Sequence, residues 1–151
     1  MVRFKNRWLL VEFIPLHEAT NNTLNGQQIF NALKQSIVAN FGDTGWGAVG
    51  MSLNVTYFSP VTNICIIRVA RDHHNLAWAA LTLVTAVGTS RYIPNVVHLS
   101  GTIKHAQLAA VEHNRKAIAR YRALAKTPAA YHDSYEEYLE TSSKEIESLK
   151  G

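Results

Sequence analysis

Three cations alternate with apolar residues at the start of the chain: Arg3, Lys5 and Arg7 interleave with Val2, Phe4 and Trp8. A stretch with that alternation and no helical period can lie along a phosphate backbone while its aromatics pack or stack. Four further cations, Lys104, Arg115, Arg122 and Lys126, follow one another at spacings of 11, 7 and 4 residues. At about 100° per residue they fall on one face of a helix, either a stripe that tracks phosphates or a solvated face. Ahead of Lys104, Ser100-Gly101-Thr102-Ile103 offers hydroxyls and free backbone N–H groups at a helix start, a seat for a phosphate. Arg68 and Arg71 close a strand candidate, and Lys116 adjoins Arg115. The chemistry available to these residues is contact with a polyanion.

Other chemistries are poorly supplied. There is no H-x-E, H-E-x-x-H or nucleophile-elbow pattern. The loop Ala19-Thr-Asn-Asn-Thr-Leu24 lacks the arginine and glycines of a phosphate-cradling acylphosphatase-type loop. His73 and His74 diverge from a helix start, a poor geometry for sharing a metal. Glu12 has no acidic partner in its own element and is expected to pair with Arg68 across adjacent central strands. Cys65 is the one cysteine, which excludes a disulfide framework or a cysteine zinc site within the chain. Its apolar neighbours make it a small buried hydrophobe rather than a nucleophile.

The 151 residues, 47% of them apolar, suit one ordinary domain with a real core. The net charge of +4 conceals a split. Residues 1–130 hold thirteen Lys/Arg against five Asp/Glu, and residues 131–151 hold two against six. A basic body with an acidic end points to a polyanionic partner more than to a small-metabolite enzyme. No run of 18 apolar residues exists, so no membrane span is expected. Trp8–Ile14, interrupted by Glu12, has no small-residue cleavage site after it, so a reducing, intracellular compartment is expected.

The elements that must position these residues read as follows. Trp8–Ile14 is a first strand ended by Pro15. Asn25 caps a helix with Gln28 reaching back, Ile29, Leu33 and Ile37 form its buried side, and Gly42 stops it. Val49, Met51, Leu53, Val55 and Tyr57 alternate with polar or small residues as a half-buried strand. Ile64–Val69 is a central strand, apolar on both faces. Asp72 caps a second helix with a stripe of Leu76, Ala80, Leu83, Val84 and Val87, closed by Gly88. Pro94 precedes a last strand, Val96–Leu99. The order β-α-β-β-α-β predicts an α+β, ferredoxin-like (RRM-like) sandwich with a four-stranded antiparallel sheet. A third helix over Lys104–Lys126 carries Leu108, Val111, Ile118, Tyr121 and Ala125 on one side, Pro128 breaks it, and Asp133 caps a short acidic helix carrying Tyr135, Tyr138, Leu139, Ile146 and Leu149. The domain is thus expected over residues 1–127 and an acidic helical extension over 128–151. The strand Ile64–Ala70 lacks the alternating aromatics with which RNA-recognition sheets stack bases, so the apolar open face must be covered by the C-terminal helices or a partner.

Met1-Val-Arg-Phe-Lys-Asn-Arg-Trp-Leu-Leu-Val-Glu12 resembles the opening of the eukaryotic Pop-five/Rpp-fourteen family of ribonuclease P and ribonuclease MRP subunits. The resemblance continues through Tyr57, Thr62, Arg68, Trp78-Ala-Ala-Leu81, Ser100-Gly-Thr-Ile-Lys104, Gln107 and Asn114-Arg-Lys116, covering roughly residues 1–120. It implies a protein that is not itself catalytic. The RNA would hydrolyse the phosphodiester, removing the 5′ leader of precursor tRNA in ribonuclease P and acting in ribosomal RNA processing in ribonuclease MRP. It implies no cofactor on this chain, with Mg2+ on the RNA, and a place in the nucleus and nucleolus. The implied partners are the two RNAs, a barrel-type Rpp-thirty-like subunit and, in fungi, a second small ferredoxin-like subunit, with no membrane. The RNA contacts expected on this reading are Arg3, Lys5, Arg7, Arg68, Arg71, Lys104, Arg115 and Lys116. A protein interaction module without direct RNA contact is the alternative.

Overall fold

The computed structural model describes residues 5–16, 24–60, 62–88, 90–124 and 128–149, with side chains except those of 122, 124 and 128–136. Its elements in chain order are β1 (Asn6–Pro15), α1 (Gly26–Val49), β2 (Asn54–Ser59), β3 (Ile64–Ala70), α2 (His74–Thr82), β4 (Ala86–Val87), β5 (Ser90–Ser100), α3 (Ile103–Leu124) and α4 (Pro128–Glu147). The strands form one antiparallel sheet in the order β2-β3-β1-β5-β4. The sheet has five strands rather than the expected four, because β4 is a short hairpin arm on β5. Val87 pairs with Ser90, and Gly88 at φ 64° opens the connecting turn, where a side chain would be strained.

One face of the sheet packs on α1 and α2. Leu9, Val11 and Phe13 of β1 and Cys65, Ile67 and Val69 of β3 meet Ile29, Leu33 and Ile37 of α1 there. The opposite face carries Trp8, Leu10, Tyr57, Ile64 and Ile66, covered by Ala106 and Ala110 of α3 and Ile146 of α4. The C-terminal helices are therefore the cover that the apolar open face requires. Burial pushes the Cys65 thiol far above its usual range, so it stays protonated. A thiol reagent is expected to label the native protein no faster than it unfolds; immediate labelling, followed by absorbance, would contradict that burial.

Several local expectations are corrected. Asn25 and Gln28 do form the reciprocal capping box, at 2.8 and 3.3 Å. Gly42 kinks the helix at φ 70° but does not end it; helical turns resume to Val49. The strand expected from Val49 thus begins only at Asn54, and Met51 is fully exposed. Asp72 caps nothing: Arg71–His73 is a 3-10 turn, α2 starts at His74 with no side-chain cap, and its buried residues are Ala77, Ala80 and Leu81. Leu83 lies beyond α2 and is exposed, whereas Val84 and Val87 are buried outside the helix. β5 runs through Pro94 rather than starting after it. The Phe13 N–H points to Asn63 of the β2–β3 turn, so Phe13–Pro94 is a pair without ladder bonds and the missing proline N–H faces outward from the sheet. Asp133 lies inside α4, which begins at Pro128, a favoured first helical position.

On α3 the buried stripe is Ala106, Ala110, Asn114, Ala117 and Ile118, and Leu108 and Tyr121 point outward. Small residues on the sheet-facing side let the helix sit close, whereas leucines there would hold it off. Ala125 lies outside the described residues.

Candidate nucleic-acid interface

β1 runs antiparallel to both of its long neighbours, so its start lies beside the ends of β3 and β5. Asn6 faces Ala70, Arg7 faces Val69, and Trp8 faces Arg68 on one side and Ser100 on the other. The pairing extends past the strand, where the Arg71 N–H donates to the Lys5 carbonyl at 2.8 Å. Ser100 leads through Gly101 into α3, which brings Lys104 to the same end. The Arg7 guanidinium donates to the Asn6 carbonyl at 3.0 Å and lies against Gly101, where a β-carbon would be 3.6 Å from its terminal nitrogen. Lys5, Arg7, Arg68, Arg71 and Lys104 therefore stand at one end of the sheet, where strand alternation puts Arg7 on the face of Leu9 and Val69 and Arg68 on the opposite face with Trp8. Lys5 and Lys104 are exposed; Arg7, Arg68 and Arg71 are half-buried.

The other candidates are not brought here. Arg3 lies outside the described residues, and Arg7 belongs to β1 rather than to a free arm. Arg115 and Lys116 stand roughly 16 Å further along α3, at about 1.5 Å per residue. Arg115 opens onto a cleft of ≈ 640 Å³ against α4, shared with Glu140, Lys144 and Glu147, so its surroundings are partly acidic. Lys116 pairs with Glu112 at 3.1 Å, one helical turn before it. Arg71 pairs with Asp72 at 3.5 Å, an exposed contact that costs little to exchange for a phosphate. The Arg122 side chain and Lys126 lie outside the described residues.

The helix start differs from expectation in detail. Thr102 Oγ1 accepts from the His105 N–H at 3.3 Å and caps the first turn. Ser100 is buried and hydrogen-bonds His98 Nε2 at 3.0 Å, so it does not serve as a free hydroxyl. His98 and His105 line a cleft of ≈ 410 Å³ with Ser100, Gly101, Leu108 and Glu112, beside the basic end. No spacing rule marked these histidines, because a strand residue and a helix residue meet there only after β5 turns into α3.

Glu12 is not opposite Arg68. The register sets Glu12 against Ile64 and Asn95, four residues from Trp8 and its partner Arg68. Its ionisable neighbour is His113 of α3, with Nε2 3.8 Å from a Glu12 carboxylate oxygen and without a hydrogen-bond partner among the described residues. Burial lowers the His113 pKa against the opposing pull of Glu12, and Arg120 and Lys116 lower it further. A histidine depressed in the folded state binds fewer protons there than in the unfolded chain. Stability is therefore complete above the unfolded pKa of about 6.5 and declines as pH falls through it toward the folded value. Thermal unfolding between pH 8 and 5 is expected to show a decline that His113→Gln reduces; identical profiles would contradict this.

α4 is fastened by a buried polar network. Thr62 Oγ1 donates to Asn114 Oδ1 at 2.8 Å, and Asn114 Nδ2 donates to Ser142 Oγ at 2.8 Å. Ser142 shares a hydrogen bond of 2.7 Å with the Tyr57 hydroxyl, and Ser59 bonds Tyr138. Gln107 Nε2 donates to the Leu149 carbonyl at 2.8 Å. Among the described residues, no group of three or more His, Cys, Asp or Glu could hold a metal ion, and no helix is long and apolar enough to cross a membrane.

Residues 7–111 match the profile of the Rpp14/Pop5 family. The chain belongs to that family. It is 41% identical over 127 residues to ribonuclease P/MRP protein subunit POP5 of Schizosaccharomyces pombe, covering 78% of this chain and 91% of that relative. A probable ribonuclease P/MRP protein subunit POP5 of Arabidopsis thaliana is 39% identical over 110 residues, 69% of this chain and 73% of the relative. A chain in a cryo-EM structure of yeast ribonuclease MRP shares the fold at a TM-score of 0.56 and 9% identity, over 80% of this chain and 98% of that one. The matched family span includes Arg7, Arg68, Arg71 and Lys104 and stops before Arg115 and α4.

Proposed function

We propose that the chain is a non-catalytic, RNA-binding protein subunit of ribonuclease P and ribonuclease MRP that supports the catalytic domain of the RNA. Its relatives carry those names, and one observation supports the RNA contact: five cations, from the residue before β1, β1, β3, the turn after β3 and α3, stand at one end of the sheet. Such a cluster follows a phosphate backbone by charge, without base stacking. On this reading the RNA, with Mg2+ bound to it, cleaves precursor tRNA and acts in ribosomal RNA processing, in the nucleus and nucleolus. A barrel-type Rpp-thirty-like subunit and, in fungi, a second small ferredoxin-like subunit are its protein partners. The four long strands with α1 and α2 are read as the ferredoxin-like part, extended by the β4 hairpin, α3 and α4.

The alternative, a protein module without RNA contact, draws on Arg71 and Lys116, whose charges are already met by Asp72 and Glu112. Titrating the full chain with the two RNA transcripts over a range of salt separates the readings. Log affinity is expected to fall with log salt at a slope of roughly −3 to −5, near one unit per phosphate contact. Absent or salt-independent binding would support the protein-only module.

A further inference from the structure

We propose that the cleft between the end of β5 and the first turns of α3 seats one unpaired nucleobase of the bound RNA, a base contact beside the phosphate contacts of the basic end. The inference rests on the RNA-binding reading and deepens it. Two elements build the cleft. The end of β5 supplies His98, Leu99 and Ser100, and one flank of α3 supplies His105, Leu108 and Glu112. The 3.0 Å hydrogen bond between His98 Nε2 and Ser100 Oγ holds the first wall in place. Leu108 is 61% exposed on a helix that turns alanines to the sheet, so the cleft has an apolar side that the fold itself does not use.

The lining and the rim together select the occupant. At ≈ 410 Å³ the cleft is of the size that takes a small molecule or one group of a larger one. Imidazole faces and a leucine suit a flat ring, and histidine is among the platforms on which unpaired RNA bases stack. Among the described residues no Lys or Arg lines the cleft, and the Glu112 carboxylate repels a phosphate from it. The cations stand at the rim instead. Gly101 lines the cleft and has the Arg7 guanidinium against it, and Lys104 adjoins His105 in the chain. A nucleotide has the same division, an anionic phosphate joined to a flat, uncharged ring. Glu112 also specifies the ring's edge. Its carboxylate only accepts hydrogen bonds, and its pairing with Lys116 is an exposed contact that costs little to exchange. Guanine suits that acceptor best, because its ring N–H and its amino group donate side by side to two carboxylate oxygens.

The test titrates the full chain with the ribonuclease P RNA transcript over a range of salt, beside a His105→Ala/Leu108→Ala variant. Both side chains are exposed and alanine suits a helix, so the thermal transition should not fall. The variant is expected to bind about 10-fold more weakly at every salt concentration with an unchanged slope, because a base contact is lost and no phosphate contact is. Unchanged affinity would overturn the base site and leave the RNA reading standing. A slope lower by about one would place a phosphate on His105 and overturn the base site likewise. Absent binding by the wild-type chain would overturn the RNA reading, and the base site with it. For the identity of the base, a uridine hexamer carrying one guanosine is expected to bind about 5-fold tighter than the same hexamer carrying inosine, which lacks the amino group. Glu112→Ala should remove that preference; equal binding by the wild-type chain would overturn the choice of guanine. Guanosine monophosphate binding as tightly as the hexamer would make the cleft a free-nucleotide site and overturn its assignment to RNA.

Discussion

Replacing Lys5, Arg7, Arg68, Arg71 and Lys104 together by glutamine is expected to remove most of the affinity for the RNA, on the order of 10²-fold at moderate salt. Counterion release sets this magnitude. Five phosphate contacts give a slope near −4, so a fourfold rise in salt already costs roughly 10²-fold, and losing the contacts forfeits a similar amount. Single replacements should each lower the slope by about one. Arg7 also packs on Gly101, and half-buried Arg68 stands beside Trp8 in the sheet, so their stems contribute packing as well as charge. A thermal transition measured on each single variant separates the two effects: Lys5→Gln and Lys104→Gln should leave it unmoved while weakening binding. By the same reasoning Lys116→Gln, already paired to Glu112, should change affinity little.

The largest stability effect is expected at Asn114. Its side chain is buried and joins the β2–β3 turn to α4 through Thr62 and Ser142. Asn114→Ala leaves the buried Thr62 hydroxyl only a long 3.4 Å hydrogen bond with the Tyr138 hydroxyl and removes a donor from Ser142, which together should cost about 2–4 kcal/mol. For a chain of this size that is a fall of roughly 4–16 °C in Tm. The damage should be directional. α4 contributes Ile146 to the cluster with Trp8, Leu10 and Tyr57, so its amides should exchange first while α1 keeps its protection. A loss below about 1 kcal/mol, or uniform loss of protection, would show that the network does not fasten α4.

What could be read in the sequence was whatever is local. The run Ile64–Ala70 announces a strand buried on both faces because no polar side chain interrupts it before Arg68, and it lies between β1 and β2. The Asn25–Gln28 box is legible because both partners lie within one turn. The misreadings come from geometry that spacing cannot carry. Val49 and Met51 fit a period of two by coincidence, because glycine at φ 70° bends α1 without ending it. Glu12 and Arg68 sit in neighbouring strands, yet the register separates them by four residues and hands Glu12 to His113. On α3, hydrophobicity favoured Leu108 for the core, whereas the close approach of the helix to the sheet selected Ala106 and Ala110. The basic candidates divided for the same reason. Five cations share one end of the sheet because antiparallel pairing brings the segment ends together, while helical periodicity alone placed Arg115 in the stripe without showing that it faces α4.

The most direct measurement is a residue-level map of RNA crosslinks on the full chain in the purified particle. RNA adducts are expected at Lys5, Arg7 and Lys104 and absent from α1 and α2. RNA adducts confined to other surfaces, or none on the chain at all, would contradict RNA contact by the basic end of the sheet.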